Sequence, residues 1–276
     1  MQMSKTQLDR LGDRIRKSVI NDDDLRLLDE YRRSFADAYE HMVGAIVKNL
    51  SLDPTGRPSK STTSISDKLR RESIRLSQIQ DIAGCRLVVR DIAEQNSVVD
   101  SLQDLFGISV SIVDRREKPS HGYRAVHMIV QFQGKSTEIQ IRTALQHLWA
   151  ELSEKLSDVI DPSVKYGGGN EAVTDILAKT SGWVVGVERR EVDFIVLEVQ
   201  LAELTSQMIA TEEKAGETEN REAGIESSLD KVNEAKKKLE NLRQRIVILR
   251  EDIFSNLRKT IEGAERLRLI NNDISD

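Results

Sequence analysis

The stretch Glu138-Ile139-Gln140-Ile141-Arg142-Thr143 decides the fold. Its alternation puts Glu138, Gln140 and Arg142 on one face of a strand and Ile139 and Ile141 on the other, the period of a half-buried strand whose polar face looks into a cleft or into water. A solvated edge strand would satisfy that pattern by itself. Two neighbours in the chain change the reading: Gly122-Tyr123-Arg124-Ala125-Val126-His127 lies upstream across a Gly-containing turn, and Asp81-Ile82-Ala83-Gly84-Cys85-Arg86 leads into the apolar run Leu87-Val88-Val89. Three polar motifs on three strands can converge on one cleft.

Outward from these strands, residues 22–50 carry apolar side chains at helical spacing, from Leu25 and Leu28 through Met42 and Ile46, with Asp22-Asp23-Asp24 favouring the first turn of one helix. Residues 51–58, with Pro54, Gly56 and Pro58, form a loop. Ser64-Ile65-Ser66-Asp67 has the form of a capping box, so a helix is expected to start there and bury Ile65 and Leu69. Its free N–H groups, with Arg57, Lys60 and Lys68 nearby, suit a phosphate. Residues 87–89 read as a strand, 93–106 as an amphipathic helix, 108–113 as a strand, 125–132 and 137–142 as a hairpin turned at Gln133-Gly134-Lys135, and 144–156 as a helix. This order predicts an α+β domain, a mixed β-sheet with flanking helices.

Beyond Asp161-Pro162, Tyr166-Gly167-Gly168-Gly169-Asn170 reads as a flexible joint. The expected organisation is an N-terminal segment at 1–24, a sheet domain at 25–165 and an all-α, coiled-coil-like region at 166–276. One helix is expected at 173–208. A second runs from Ile225, with Val232, Leu239, Ile246 and Ile253 every seven residues and Ala235, Leu242 and Leu249 between them, a heptad seam interrupted at Ser228 and Asn256. The polar residues 214–224 between the two helices suit a fold-back. Such a seam needs a partner, either the preceding helix or a second copy, and self-association is the expectation.

A net charge of −5 argues against a protein that binds nucleic acid through a general basic surface, and 32% charged with 4% aromatic residues points to long solvated helices. The single cysteine, Cys85, excludes an intrachain disulfide and reads as a small buried hydrophobe. No apolar run is long enough to cross a membrane and residues 1–17 are polar rather than signal-like, so a cytoplasmic protein is expected.

Residues 57–155 resemble the synthetase domain of the RelA/SpoT family, whose nucleotidyltransferase-like fold transfers pyrophosphate from ATP to the 3′-hydroxyl of a guanine nucleotide. Asp81 matches the metal-binding acid of the family's D-x-x-G-x-R motif, and Glu138 opens E-I-Q-I-R-T, where the acid binds metal and helps take the proton from the attacking hydroxyl. Magnesium, held by one or two carboxylates and substrate phosphates, is the implied cofactor. The family's ATP segment R-x-K-x-x-x-S-x-x-x-K is met by Lys60, Ser64 and Lys68, while Arg57 stands one residue further upstream. Arg86 matches an arginine on the adenine face. For the acceptor, Tyr123 matches a guanine-stacking tyrosine, and His127, Gln140, Arg142 and His147 fall where the family lines the pocket. Arg115 and Lys118, with Arg116, would meet acceptor phosphates. The usual K-P-N-G-Y form is altered, because Ser120-His121 stand where one asparagine is common.

The resemblance implies a (p)ppGpp synthetase that uses ATP and GDP or GTP and releases AMP. The four histidines include no His-Asp pair of the kind the family's hydrolase domain needs, so synthesis without hydrolysis is expected. The altered loop keeps two other acceptors open, the 3′ end of tRNA and an adenine nucleotide. A helical scaffold that only senses nucleotides is a third reading, which intact Asp81, Glu138, Lys60 and Lys68 oppose.

Overall fold

The computed structural model describes residues 3–214 and 220–273, with the backbone alone at 211–214, 220–228 and 267–273. Its helices are α1 (Lys5–Arg16), α2 (Asp22–Arg33), α3 (Ala36–Leu50), α4 (Thr62–Arg71), α5 (Ile92–Phe106), α6 (Ala144–Val159), α7 (Glu171–Lys214) and α8 (Asn220–Asp273). The strands are β1 (Thr55–Arg57), β2 (Ala83–Val89), β3 (Val110–Asp114), β4 (Val126–Phe132) and β5 (Lys135–Thr143), in a mixed five-stranded sheet of order β1-β2-β5-β4-β3. The expected α+β class is therefore the observed one. The described residues form two units: one holds those up to 89 together with 95–119 and 124–142, the other 90–94, 120–123 and those from 143 onward.

In the first unit the sheet has an apolar and a polar face. Cys85, Leu87 and Val89 of β2, Val126, Met128 and Val130 of β4, and Ile139 and Ile141 of β5 pack into one core with Met42 and Ile46 of α3 and Val98, Val99 and Leu102 of α5. Because side chains alternate, Gly84, Arg86, His127, Glu138, Gln140 and Arg142 lie on the other face. Register fixes this, since β4 and β5 pair Val126 with Ile141 and His127 with Gln140, and the hairpin closes through a two-residue turn with Gln133 at φ 47° and Gly134 at φ 75°. Burial and the Glu138 charge push the Cys85 thiol up to about 12, so it is a core side chain rather than a nucleophile.

The sequence reading does not anticipate α1. Leu8, Leu11 and Ile15 bury one stripe of it beside Leu28, Ile65, Leu69 and Leu76, and Ser4 and Gln7 close a capping box at its start. The single helix expected at 22–50 is two, because the chain leaves the helix at Ser34 and Phe35. There the Ser34 hydroxyl donates to the Tyr31 carbonyl at 2.6 Å and accepts from Lys135 Nζ at 2.8 Å, while Lys135 lies over the Phe35 and Tyr31 rings at 4.6 and 5.1 Å. The helix expected at Ser64 also begins earlier. Ser61, extended at φ −64° and ψ 154°, accepts from the Ser64 N–H at 3.1 Å and is the N-cap of α4.

In the second unit α6, α7 and α8 pack around Leu145, Leu148, Leu152, Leu177, Val184, Ile246, Ile253 and Leu257. The seam of α8 thus has its partner within the chain at Val232, Ile246, Ile253, Leu257 and Ala264; the side chains of Ile225 and Ser228 and most of the expected fold-back at 214–224 lie outside the described residues. Tyr166-Gly167-Gly168-Gly169-Asn170 adopts a defined path in which Asn170 Oδ1 accepts from the Ala172 N–H at 3.0 Å and starts α7. Among the described residues no helix is long and apolar enough to cross a membrane.

Leu257 is 0% exposed and Val247, on the same helix, is 49% exposed. Leu257→Ala is expected to cost about 2–5 kcal/mol in urea unfolding, and Val247→Ala about 0.5 kcal/mol or less. Equal costs for the two would contradict the assigned face of α8.

Candidate active site

Asp81 precedes β2, and two ammonium groups close on its carboxylate: Lys60 Nζ at 2.5 Å from Oδ2 and Lys68 Nζ at 3.0 Å from Oδ1. Local folding brings them there. The Lys60 N–H donates to the Ile82 carbonyl at 2.6 Å, which ties the loop to the start of β2; Ser61 then caps α4, and Lys68 returns on the same helix about two turns later. Burial pushes the Asp81 carboxyl up, but Lys60 and Lys68 outweigh it and bring it down to about 2. Burial draws the Lys60 ammonium down, against the pull of Asp81. The carboxylate is ionised at neutral pH and fully engaged.

Arg57 ends β1 and donates to the Asp81 carbonyl at 3.3 Å, so the arginine that stands one residue out of the family's spacing still reaches this cluster. Ser64 lies in the first turn of α4, where its Oγ accepts from the Ser61 hydroxyl at 2.8 Å. Arg86 is half-buried on the polar face of β2, opposite Thr55 of β1.

On the same face Glu138 is held at both oxygens. His127 Nδ1 lies 2.7 Å from Oε1, Gln140 Nε2 donates to Oε2 at 2.7 Å, and Arg142 in turn donates to Gln140 Oε1 at 2.8 Å. Glu138 is buried; burial raises its carboxyl and so does the charge of Asp81, yet the His127 and Gln140 contacts leave it below the ordinary value. The effect of the Asp81 charge on Glu138 marks a like charge nearby that a cation would relieve. Among the described residues no three His, Cys, Asp or Glu gather as a metal cluster. Two ionised carboxylates fit a magnesium ion whose other oxygens come from substrate phosphates and water.

Gly84 explains the glycine of the Asp81-x-x-Gly84-x-Arg86 motif. A Cβ there would stand 2.5 Å from the Glu138 carbonyl oxygen and 3.3 Å from its Cβ, so only glycine lets β2 approach β5 at the acidic residue.

The remaining candidates are less concentrated. Arg115 follows β3, half-buried, with its N–H on the Ala125 carbonyl at 2.9 Å, and Lys118 is exposed. Arg116 is occupied by Asp114, 2.6 Å away, and by Asn96 at 2.7 Å and Gln95 at 3.1 Å. Tyr123 and His147 belong to the second unit, where Tyr123 packs against the helical core and His147 lies 3.6 Å from Glu151. Sequence reasoning named His127 for the acceptor pocket and missed its contact with Glu138. The signal was present in the hairpin, where a residue and the diagonal neighbour of its cross-strand partner are within reach.

Residues 56–157 match the family model described as "Region found in RelA / SpoT proteins". It is this part of the chain that is similar to the RelA/SpoT family. Uncharacterized proteins of Mycobacterium tuberculosis and Mycobacterium bovis are 38% identical over 114 residues, 41% of this chain and 42% of theirs, so the chain spans less than half the length of these curated relatives. A guanosine-3′,5′-bis(diphosphate) 3′-pyrophosphohydrolase of Aquifex aeolicus is 34% identical over 96 residues, 34% of this chain and 14% of that one. Among solved structures, the small alarmone synthetase 1 from Bacillus subtilis is 27% identical with a TM-score of 0.46, covering 65% of this chain and 99% of that one.

Because the Asp81 carboxyl is lowered in the folded state, its contribution to stability is present above the unfolded value of about 3.9 and is lost as pH falls toward about 2. Asp81→Asn is expected to be destabilised by on the order of 2 kcal/mol at neutral pH, with the difference from wild type closing below about pH 4 in denaturation curves. A difference that persists unchanged at low pH would contradict the ion-pair account.

Proposed function

We propose that the chain is a (p)ppGpp synthetase: ATP gives its β,γ-pyrophosphate to the 3′-hydroxyl of GDP or GTP and leaves as AMP. The observation that carries this is the pair of ionised carboxylates, Asp81 and Glu138, with Lys60 and Lys68 closed on the first. Lys60, just before α4, and Lys68, in its last turn, converge on one point and are a setting for the donor triphosphate. Arg57 and Arg86 hold the adenine face, and Ser64 adds a polar contact at the first turn of α4. Asp81 and Glu138 would hold magnesium, which when bound neutralises charge on the transferring group.

In the proposed reaction Glu138 accepts the proton of the attacking 3′-hydroxyl as the oxygen–phosphorus bond to the β-phosphate forms and the bond to the α-phosphate breaks. His127 and Gln140 keep that carboxylate ionised and aimed. Tyr123 stacks on the guanine, Arg142 and His147 line the acceptor pocket, and Arg115 and Lys118 meet its phosphates. The chain makes the alarmone without hydrolysing it.

The test is label transfer from [γ-32P]ATP with GDP, GTP, an adenine nucleotide or tRNA as acceptor, read together with AMP release. Labelled GDP or GTP products are expected. Label on tRNA or an adenine nucleotide alone would replace the acceptor and keep the catalytic residues; AMP release absent with every acceptor would contradict the enzyme itself.

Three variants follow. Asp81→Ala and Glu138→Ala are expected to stay folded and lose AMP release, since magnesium contributes several kcal/mol to such transfers. His127→Ala removes a contact that lowers the Glu138 carboxyl, so the acid limb of the pH–rate profile is expected to move to higher pH. An unshifted or downward-shifted limb would contradict the pairing.

A further inference from the structure

We infer that Ser181 on α7 is a positioning residue for Tyr123, and through it for recognition of the acceptor base. The inference rests on the synthetase reading and adds to it a residue outside the family-like stretch. All the groups concerned belong to the second unit.

A serine inside a helix ordinarily returns its hydroxyl to a carbonyl one turn back. Thr180 does so, bonding the Ile176 carbonyl at 2.8 Å and the Leu177 carbonyl at 3.1 Å. Ser181, next to it and buried, instead donates across to the Gly122 carbonyl at 2.8 Å. Gly122, at φ +89°, is pressed between helices: a Cβ there would stand 2.8 Å from Trp149 Cζ2 and 3.1 Å from Ser181 Cβ. Trp149 is itself fixed, its indole N–H donating to the Leu177 carbonyl at 3.0 Å.

The residues on either side are held as well. His121 has φ +50°, and its ring lies on Gly167 so closely that a Cβ at Gly167 would be 2.2 Å from Nδ1. The Tyr123 N–H closes the turn on the Ser120 carbonyl at 2.9 Å, and the Tyr123 ring packs against the helical core. The inserted Ser120-His121 and the glycines after α6 thus form one seat, in which the Ser181 hydroxyl holds the peptide that enters Tyr123. Without that bond the carbonyl side of the 122–123 peptide loses its tie to α7, and the Ser120 turn and the core packing alone hold the ring less closely.

Steady-state kinetics test this. Ser181→Ala, which favours the helix, is expected to raise the KM for GDP or GTP roughly 3- to 10-fold, the worth of one neutral hydrogen bond, while kcat and the KM for ATP stay within about twofold. Ser181→Thr keeps the hydroxyl and is expected to restore the acceptor KM. An acceptor KM unmoved in Ser181→Ala, raised equally in Ala and Thr, or accompanied by an equal rise for ATP would overturn the inference while an active wild type left the synthetase reading standing. A wild type inactive with every acceptor would overturn both.

Discussion

Asp81 carries its charge at a position where its side chain is 14% exposed, and the Lys60 and Lys68 ammonium groups at 2.5 and 3.0 Å make that tolerable. Isolated, such a carboxylate would take up a proton rather than stay ionised. Paired, it stays charged to about pH 2, and the pairing organises its surroundings. The loop before α4 is pinned to Ile82, Ser61 caps the helix, and Lys68 reaches Asp81 from its last turn. The same three charges are the parts that a donor triphosphate and its metal would use. On the proposed reading the two lysines rest on the carboxylate, and with Mg·ATP bound they exchange partners: Lys60 and Lys68 would meet the phosphates and Asp81 would hold the metal.

Glu138 meets the same problem without lysines. It sits deeper, and its oxygens are met by His127 and Gln140 instead of lysines. The difference suits the two proposed roles. A metal-binding acid benefits from a strong field that keeps it ionised, whereas a proton acceptor needs a pKa that neighbours can tune.

Much of this was legible from the chain. The alternation at 138–142 marked both faces of β5 because a buried strand obeys period two, and the polar face is where the structure brings His127, Glu138, Gln140 and Arg142 into one network. The heptads of α8 predicted a buried seam, but not that α6 and α7 of the same chain would cover it, since hydrophobic periodicity names a stripe and leaves its partner open. The break at Ser34 and Phe35 was hidden because apolar spacing continues through it; Lys135, one hundred residues away, helps to hold it. The polar composition of α1 masked its buried stripe. The Ser181 contact with Gly122 spans 59 positions and leaves no local sign.

The exchange of partners at Asp81 is the central claim, and ATP affinity with and without magnesium tests it with opposite signs. By calorimetry without metal, Asp81→Asn should bind ATP more tightly than wild type, because Lys60 and Lys68 no longer have a competing carboxylate. With magnesium the variant should lose that advantage, having lost a metal ligand. Weaker binding by Asp81→Asn in the absence of metal would contradict the account, since it would mean that Asp81 supports the phosphate site through its fold rather than by holding the lysines in reserve.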